Sequence, residues 1–327
     1  MKVKGTILFS MALGAAAVLM TAHFALSQPP AGGPGAAGAS GRGGRGGGRG
    51  SAQPFNYEDN EGWQKIFDGT TLNGWAGNTK YWSVKDESLY IHPSCEAPTG
   101  TTYIYWTNGE PGDFALKYEL KGTEQVNGGM QFRSYRTASE DVAFKYAPRG
   151  RGGFGGGRGA SGGRGPGGAG FAAAGGRGGS GRGGGRGPAC ANPGTPPSRA
   201  EMAQWDLNGP QADFDANNNF SGMFYEQGGR GIISGPGHAL LAEPGKPVQD
   251  LGTIADKATL DSWFHKGDWN QYMIVARGHT TSIYMNGHLV TLFIDNDPAY
   301  FRPSGKIGAE VESTGEYWVR NIYLQRF

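Results

Sequence analysis

Two segments of this chain alternate strictly between apolar and polar residues, one on each side of a long stretch rich in glycine and arginine. They are residues 128–135 and residues 209–215. Because successive side chains of a β-strand point to opposite faces, each segment predicts a strand with one buried and one polar face. The buried face takes Met130, Phe132, Ala212 and Phe214, and the polar face takes Gln131, Arg133, Tyr135, Gln211, Asp213 and Asp215. Such a polar face favours a cleft floor that binds a polyhydroxylated ligand.

The rest of the sequence outside the glycine-rich stretches has the residue pattern of an all-β protein. Short runs rich in Tyr, Trp, Phe, Val and Ile are separated by Gly, Asn, Asp and Pro, as at residues 81–84, 114–120 and 271–276. Asn286-Gly287 is the turn signal of a tight hairpin. Apart from residues 256–264, which predict one short helix, no stretch sustains a helical period. The prediction is a single two-sheet antiparallel jelly-roll sandwich over residues 55–327.

The segments outside that body have little to bury. Residues 1–27 have Lys2 and Lys4, an apolar run at 7–20 and a small-residue cleavage site, so they predict a signal peptide and an exported protein, periplasmic or extracellular. Residues 28–54 predict a disordered leader, and residues 147–200 a disordered insert of the RGG type. The insert is expected to contact anionic polysaccharide or lipid headgroups, or to be inert. No other run is long enough to span a membrane, so the mature chain is expected to lack a transmembrane segment.

The small net charge of +2 conceals two populations of charge. Eleven arginines lie in the two glycine-rich stretches and two lysines in the signal segment, which leaves 17 basic residues against 28 acidic ones in the body. Nucleic-acid binding requires positive charge against the phosphates, so this acidic body argues against a nucleic-acid partner. The sequence leaves the oligomeric state open.

Two further features bear on bridges and metals. Cys95 and Cys190 are the only cysteines, and in an exported chain they either pair or remain two free thiols. Asp213, Asp215 and Asn217 weakly resemble the start of a calcium loop, but its turn glycine and distal glutamate are missing. No cofactor is predicted with certainty, and a structural Ca²⁺ elsewhere in the sandwich stays open.

Eight motifs resemble, in order, those of the 3-keto-disaccharide hydrolase family, and they extend over the whole body except the insert. They are GWQKIFDGTTLNGW at residues 62–75, GDFAL at 112–116, NGGMQFR at 127–133, GPQAD at 209–213, DWN at 268–270, MNG at 285–287, GKIG at 305–308 and VRNI at 319–322. The resemblance implies a concanavalin-like jelly roll and cleavage of glycosides that are oxidised to a ketone at C3. An oligosaccharide or oxidised glycoside is therefore the expected partner.

The sequence departs from the family pattern after Ile307-Gly308. Many members carry Leu-Gln-x-His there, whereas this chain has Ala309-Glu310-Val311-Glu312. The tract from Gln211 to Asp213 also differs from the commoner Glu-x-Gln order. The resemblance therefore implies no histidine-dependent role and no ready-made catalytic assignment for this chain.

The candidate chemistry rests on carboxylates that alternation places on a polar strand face. A C3 ketone acidifies the C2 proton, so elimination needs a base and a group that stabilises the oxyanion, while hydrolysis needs two carboxylates. Asp213 or Glu310 is the predicted base, and Arg133 is the predicted oxyanion stabiliser. The predicted substrate contacts are Gln131, Gln211, Asp215, Tyr225, Glu226, Arg230, Trp205 and Glu312. Each of these polar residues could instead be a solvated or ion-paired surface residue.

Two functions from different classes fit these observations. The first is an exported enzyme, a hydrolase or lyase, that cleaves 3-keto-glycosides in a concave β-sheet cleft. The alternative is a non-catalytic carbohydrate-binding module, because lectins and enzymes share the sandwich fold.

Overall fold

A computed structural model describes residues 56–123, 125–136 and 192–327. The predicted signal peptide and leader lie outside the described residues, and so does the predicted insert as far as residue 191. Those three predictions therefore stay predictions. Among the described residues, no helix is long and apolar enough to cross a membrane.

Within the described residues the chain forms seventeen strands and two short helices. The strands are β1 Gln64–Lys65, β2 Trp75–Gly77, β3 Ser83–Lys85, β4 Ser88–Ile91, β5 Thr102–Trp106, β6 Phe114–Gly122, β7 Asn127–Arg136, β8 Leu207–Asp215, β9 Phe224–Gln227, β10 Gly231–Ile232, β11 His238–Ala242, β12 Gln249–Thr253, β13 Asn270–Arg277, β14 Thr280–Met285, β15 His288–Asp295, β16 Lys306–Val311 and β17 Tyr317–Arg326. The helices are α1 Arg199–Met202 and α2 Lys257–Trp263.

These strands build two sheets. The ten-stranded sheet has the order β12-β11-β15-β14-β13-β6-β17-β4-β3, with β1 also paired to β17, and the seven-stranded sheet has the order β10-β9-β8-β7-β16-β5-β2. Within both sheets the pairing is antiparallel except between β11 and β15, which run parallel. The predicted all-β jelly-roll sandwich is confirmed.

The core lies between the sheets, where their inner faces interleave. Met130, Phe132, Ala212 and Phe214 all belong to one buried cluster, as the alternation predicts. Phe214 of the seven-stranded sheet stacks on Tyr317 of the ten-stranded sheet, with ring centroids 6.0 Å apart. The residues that alternate with this cluster consequently face away from the ten-stranded sheet, on what we call the outer face of the seven-stranded sheet.

The alternation of β7 fails at Arg133. Its φ of 44° lies in the left-handed region, and the register with β8 shifts between Gln131 and Tyr135, so a bulge interrupts the strand. The buried guanidinium group donates to the Gly112 carbonyl (2.9 Å) and the Gly278 carbonyl (2.8 Å). The prediction that Arg133 shares the polar face of Gln131 is therefore wrong.

Cys95 takes part in a disulfide bond. The chain contains one other cysteine, Cys190, which lies outside the described residues. Next to the bond, the backbone amide of Gly194 donates to the carbonyl of Cys95 at 2.9 Å. The loop before β5 is therefore tied to the segment that leads into α1.

The predicted hairpin at Asn286-Gly287 and the predicted short helix are both confirmed, and one side chain joins them. Asn286 and Gly287 have φ values of 49° and 82°, as a tight turn between β14 and β15 requires. The buried Asn286 amide donates to the carbonyl of Trp263, at the end of α2, at 2.7 Å. Its oxygen accepts from the backbone amide of Gln271 at 2.8 Å.

We expect Asn286→Ala to lower the free energy of unfolding by about 2–4 kcal/mol, because it leaves buried donors and acceptors unpaired. Asn321→Ala is the matched control, since Asn321 has a similar φ of 50° but an exposed side chain. Its expected cost is below about 1 kcal/mol. Urea unfolding measures both values. Equal losses would show that the preference of asparagine for a left-handed backbone, and not the buried hydrogen bonds of Asn286, accounts for the effect.

Candidate functional site

The outer face of the seven-stranded sheet carries a compact group of carboxylates and amides. Across β5, β16, β7 and β8, the register places Tyr103, Glu310, Gly129 and Asp213 in one row. Facing residues of antiparallel strands lie about 5 Å apart, so Glu310 and Asp213 stand on either side of a residue that has no side chain. The Gln211 side chain fills the space over Gly129, where a β-carbon would come within 2.9 Å of Gln211 Nε2.

A chain of hydrogen bonds lies in the neighbouring row and fixes the orientation of each amide. Ser134 Oγ donates to Gln131 Oε1 (2.6 Å), and Gln131 Nε2 donates to Gln211 Oε1 (2.6 Å). Gln211 Nε2 then donates to Asp213 Oδ1 (2.8 Å) and to Glu310 Oε2 (3.1 Å). One buried amide nitrogen therefore serves both carboxylates, which places them side by side. We call Gln131, Gln211, Asp213 and Glu310 the carboxylate group.

Burial gives both carboxylates unusual proton affinities. Asp213 is 6 % exposed and Glu310 is 4 % exposed. Desolvation raises the pKa of Asp213 well above its ordinary value, and the nearby charges of Glu312 and Asp215 raise it further. Desolvation likewise raises the pKa of Glu310, with added repulsion from Glu312 and Asp213. Carboxylates that share a site in this way titrate as a coupled set, and such sets are frequent in active sites.

The two carboxylates differ in their hydrogen bonding. Asp213 also accepts from the backbone of Phe214, which favours its ionised form. Glu310 Oε1 is buried and has no hydrogen-bond partner among the described residues. A protonated carboxyl carries one O–H donor, so a protonated Glu310 would leave Oε1 as a donor or an acceptor without a partner among the described residues.

Glu312 and Asp215 lie in the next row, and only one of them is open. Glu312 is exposed and accepts from Asn127 Nδ2 at 2.7 Å, and desolvation by its surroundings raises its pKa. Asp215 is buried, and its carboxylate accepts from the backbone amides of Asn217 (2.9 Å) and Asn219 (3.0 Å). Asp215 therefore holds the loop after β8, while Glu312 remains accessible at the edge of the carboxylate group.

Aromatic side chains border the carboxylate group on both sides. On the β5 side, Tyr103, Tyr105 and Leu207 form a small apolar cluster, and the half-buried Trp205 packs against it. On the β9 side, Tyr225 is the register partner of Gln211. Burial, followed by the charges of Glu312, Glu310 and Asp213, raises the pKa of Tyr225 to about 12, so its hydroxyl group stays a donor at neutral pH.

Tyr103 and Tyr105 are the site residues that sequence reasoning missed. The alternation of residues 102–106 could have identified them, because Ile104 and Trp106 enter the core and the two tyrosines point outward. A run of four apolar and aromatic residues resembles a fully buried strand, which masked the alternation.

The structure does not bring three of the predicted residues to the carboxylate group. Arg133 NH2 donates to Asp113 Oδ1 at 3.0 Å, beyond the β7 bulge. Glu226 faces Pro210 across the strand pair and so points inward, where Arg230 donates to it at 2.6 Å and to Asp295 of the other sheet. These ion pairs join the two sheets at their edge, and the predicted cleft rim at Glu226 and Arg230 is an interior bridge.

A metal site is not evident in the part of the chain that the structure describes. No group of three or more His, Cys, Asp or Glu side chains is arranged there to hold a metal ion. The structural Ca²⁺ that the sequence left open is therefore untested.

The sequence matches one family over most of its length. Residues 62–156 and 195–325 match the family described as the 3-keto-alpha-glucoside-1,2-lyase-like domain. No curated protein matches the chain. The family match supports a carbohydrate-active protein of the hydrolase or lyase type and a sugar ligand.

Several solved structures are similar to the fold at low sequence identity. A putative glycosyl hydrolase from Parabacteroides distasonis is 14% identical, covers 81% of this chain and 99% of its own, and has a TM-score of 0.42. A protein with a galectin-like fold from Bacillus subtilis is 12% identical, with coverages of 81% and 94% and a TM-score of 0.44. A laminarinase from Flavobacterium sp. UMI-01 is 7% identical, with coverages of 81% and 98% and a TM-score of 0.43.

We expect Glu310→Gln to stabilise the protein at alkaline pH. Because the folded pKa of Glu310 is raised above its ordinary value of 4.5, the folded state binds more protons, and stability falls as pH rises above that value. The amide removes this penalty, so the variant should exceed the wild type by on the order of 1 kcal/mol or more at pH 8, since one pKa unit is worth about 1.4 kcal/mol.

Urea unfolding at pH 8 and pH 4 measures the difference, which should shrink at the lower pH. Glu61→Gln, at an exposed position, is the control and should change little at either pH. A Glu310→Gln variant that is less stable than the wild type at pH 8 would show that Glu310 is ionised and well paired in the folded protein.

Proposed function

The chain belongs to the 3-keto-alpha-glucoside-1,2-lyase-like domain family, and we propose that it is an exported enzyme that cleaves 3-keto-glycosides by elimination at the carboxylate group. The observation that carries the proposal is the pair of buried carboxylates, Asp213 and Glu310, joined by the amide of Gln211. Export rests on the signal-like segment at residues 1–27.

Elimination suits this geometry better than direct hydrolysis. Hydrolysis places one carboxylate on each side of the glycosidic bond. Here a single Gln211 nitrogen donates to both, so they present themselves side by side to the same region of a ligand. In elimination, the proton on C2 and the oxygen on C1 belong to adjacent carbons. One carboxylate of such a pair can remove the proton while the other protonates the oxygen.

We assign the roles of base and acid to the two carboxylates from the difference in their hydrogen bonds. Asp213, which accepts one more hydrogen bond than Glu310, takes the C2 proton, and the electrons of that C–H bond pass through the enolate of the C3 ketone. Those electrons then form the C1–C2 double bond as the C1–O bond breaks. Glu310, whose raised pKa favours its protonated form, delivers a proton to the departing oxygen, so atoms and charge balance.

A neutral donor beside the group stabilises the enolate. Arg133, the donor that the sequence suggested, is held at another edge of the sandwich by Gly112 and Gly278. Tyr225 adjoins Gln211 in the register, and its raised pKa keeps its proton. We assign the Tyr225 hydroxyl group to the C3 oxygen, where it strengthens its hydrogen bond as negative charge develops.

The roles assigned to Glu310 and Asp213 predict that the effect of each substitution on the cleavage rate depends differently on the leaving group. Glu310→Gln should reduce cleavage of methyl 3-keto-α-glucoside by about 10²–10⁴-fold, the usual range for a lost general acid. It should affect the 4-nitrophenyl analogue far less, because nitrophenolate departs without a proton. Asp213→Asn should reduce cleavage of both substrates by a similar factor, since both require loss of the C2 proton.

Steady-state rates with purified protein measure this pattern. Asp250→Asn is the matched control, because Asp250 is an exposed carboxylate on β12 of the other sheet. Equal losses for both substrates in Glu310→Gln would overturn its assignment as the acid. Sugar binding without any turnover would instead identify a carbohydrate-binding module.

A further inference from the structure

The bulge in β7 follows directly after Gln131, a member of the carboxylate group. Between its two flanking register pairs with β8, the strand β7 has the three residues 132–134 and β8 has only 209–210. Arg133, in the middle of these three, has the left-handed φ of 44°. A buried residue other than glycine seldom takes this conformation within a strand, so the surrounding structure must hold it there.

The bulge places Ser134 on the same side of the sheet as Gln131. In an uninterrupted strand, two residues three positions apart point to opposite faces. Here Ser134 Oγ lies 2.6 Å from Gln131 Oε1 and donates to it. Gly209 on β8 leaves space for this hydroxyl group, because a β-carbon there would come within 2.6 Å of Ser134 Oγ. The hydrogen-bond chain that ends at the two carboxylates therefore begins at a residue that the bulge brings to it.

The hydroxyl group of Ser134 fixes the direction of both amides in that chain. Gln131 turns its oxygen to Ser134, so its nitrogen donates to the Gln211 oxygen, and the Gln211 nitrogen serves the two carboxylates. Loss of the hydroxyl group removes the bond that fixes Gln131. Reversal of both amides would then bring the Gln211 oxygen against the carboxylates. Because a donor favours the ionised form of a carboxylate, losing it raises the pKa of the pair.

Contacts at the ends of strands in the ten-stranded sheet hold Arg133 in the bulge. Its guanidinium group donates to the Gly112 carbonyl before β6 and to the Gly278 carbonyl between β13 and β14. It also donates to the carboxylate of Asp113 at 3.0 Å. Gly305, just before β16, packs so closely on the bulge that a β-carbon there would come within 2.4 Å of the Arg133 carbonyl carbon. Three acceptors and one close backbone contact therefore fix this conformation.

We propose that Arg133 is a positioning residue of the carboxylate group, which acts through the bulge and the hydroxyl group of Ser134. The inference rests on the proposed function, since it concerns the base and the acid assigned there. Arg133 touches no substrate in this role. It fixes a backbone conformation, that conformation presents Ser134 to Gln131, and the amide chain keeps a donor on both carboxylates.

The pH dependence of kcat/KM for methyl 3-keto-α-glucoside tests this role. Asp213 must be ionised to act as the base, so kcat/KM rises with pH through the pKa of the pair. Ser134→Ala should move this ascending limb to higher pH by about one pH unit, because the carboxylates lose their donor for part of the time. Ser88→Ala removes an equally buried hydroxyl group on β4 of the other sheet and should leave the limb in place.

A loss of folded protein alone would lower the rate at every pH without moving the limb. The ionisable groups that act on the pair are the same in all these variants, namely Glu312, Asp215, Tyr103, Tyr118, Tyr225, Tyr272 and Tyr317. A shifted limb therefore reports the hydrogen bonds of the pair.

A double-mutant cycle tests whether Arg133 acts through Ser134. Arg133→Met removes the guanidinium group and should move the limb in the same direction as Ser134→Ala. In the double variant the two shifts should not add, because both changes break the same chain. Additive shifts would show that Arg133 affects the carboxylates by another route and would overturn the inference. If Arg133→Met does not fold, Asp113→Ala takes its place in the cycle, since it removes one of the three acceptors at a partly exposed position.

A titration that needs no turnover separates this inference from the proposed function. Carbon-13 NMR of protein labelled at the aspartate and glutamate carboxyl carbons follows the protonation of Asp213 and Glu310. The midpoint should be higher in Ser134→Ala and Arg133→Met than in the wild type, and unchanged in Ser88→Ala. A raised midpoint supports the inference even if no substrate is cleaved. An unchanged midpoint in Ser134→Ala overturns it even if the enzyme cleaves its substrate.

Discussion

The arrangement of the candidate site depends on one buried amide, that of Gln211. Its nitrogen holds Asp213 and Glu310 together, while its oxygen is fixed by Gln131, which Ser134 orients in turn. Two buried carboxylates repel each other and are costly to ionise. The hydrogen bonds from the Gln211 amide offset part of that cost and so stabilise the two carboxylates close together. The consequence is a pair of carboxylates whose pKa values are both raised above the ordinary range.

The two faces of the seven-stranded sheet divide the tasks of stability and chemistry. The inner face contributes Phe132 and Phe214 to a core shared with the ten-stranded sheet, and at its edge Arg230 bridges Glu226 and Asp295. Because this interior is closed by packing and ion pairs, the outer face can carry groups that lower stability. Replacing Glu310 by Gln is expected to raise stability because it removes one such group from the outer face. Catalytic sites commonly retain groups that lower stability.

The sequence predicts the sandwich and part of the site because both depend on period-two alternation. Gln131, Gln211 and Asp213 lie where alternation places them, and so does the hairpin at Asn286. Arg133 does not, because a bulge with a left-handed residue reverses the faces and has no sequence signature here. Glu226 and Arg230 were assigned to a rim from their position in a turn, whereas their faces depend on pairing with β8. Register across strands is a tertiary property, so the adjacency of Glu310 to Asp213 across Gly129 could only be seen in the structure.

We infer that Asp213 removes the C2 proton before Glu310 releases the leaving group. Proton NMR of methyl 3-keto-α-glucoside in D₂O tests it most directly, with the wild type, Asp213→Asn and Glu310→Gln compared. We expect that Glu310→Gln still exchanges the C2 proton for deuterium while product formation is nearly abolished, and that Asp213→Asn does neither. Product formation by the wild type that leaves deuterium absent from C2 of the released ring, with the ring recovered as an ordinary 3-keto sugar, would contradict elimination and the roles assigned to both carboxylates.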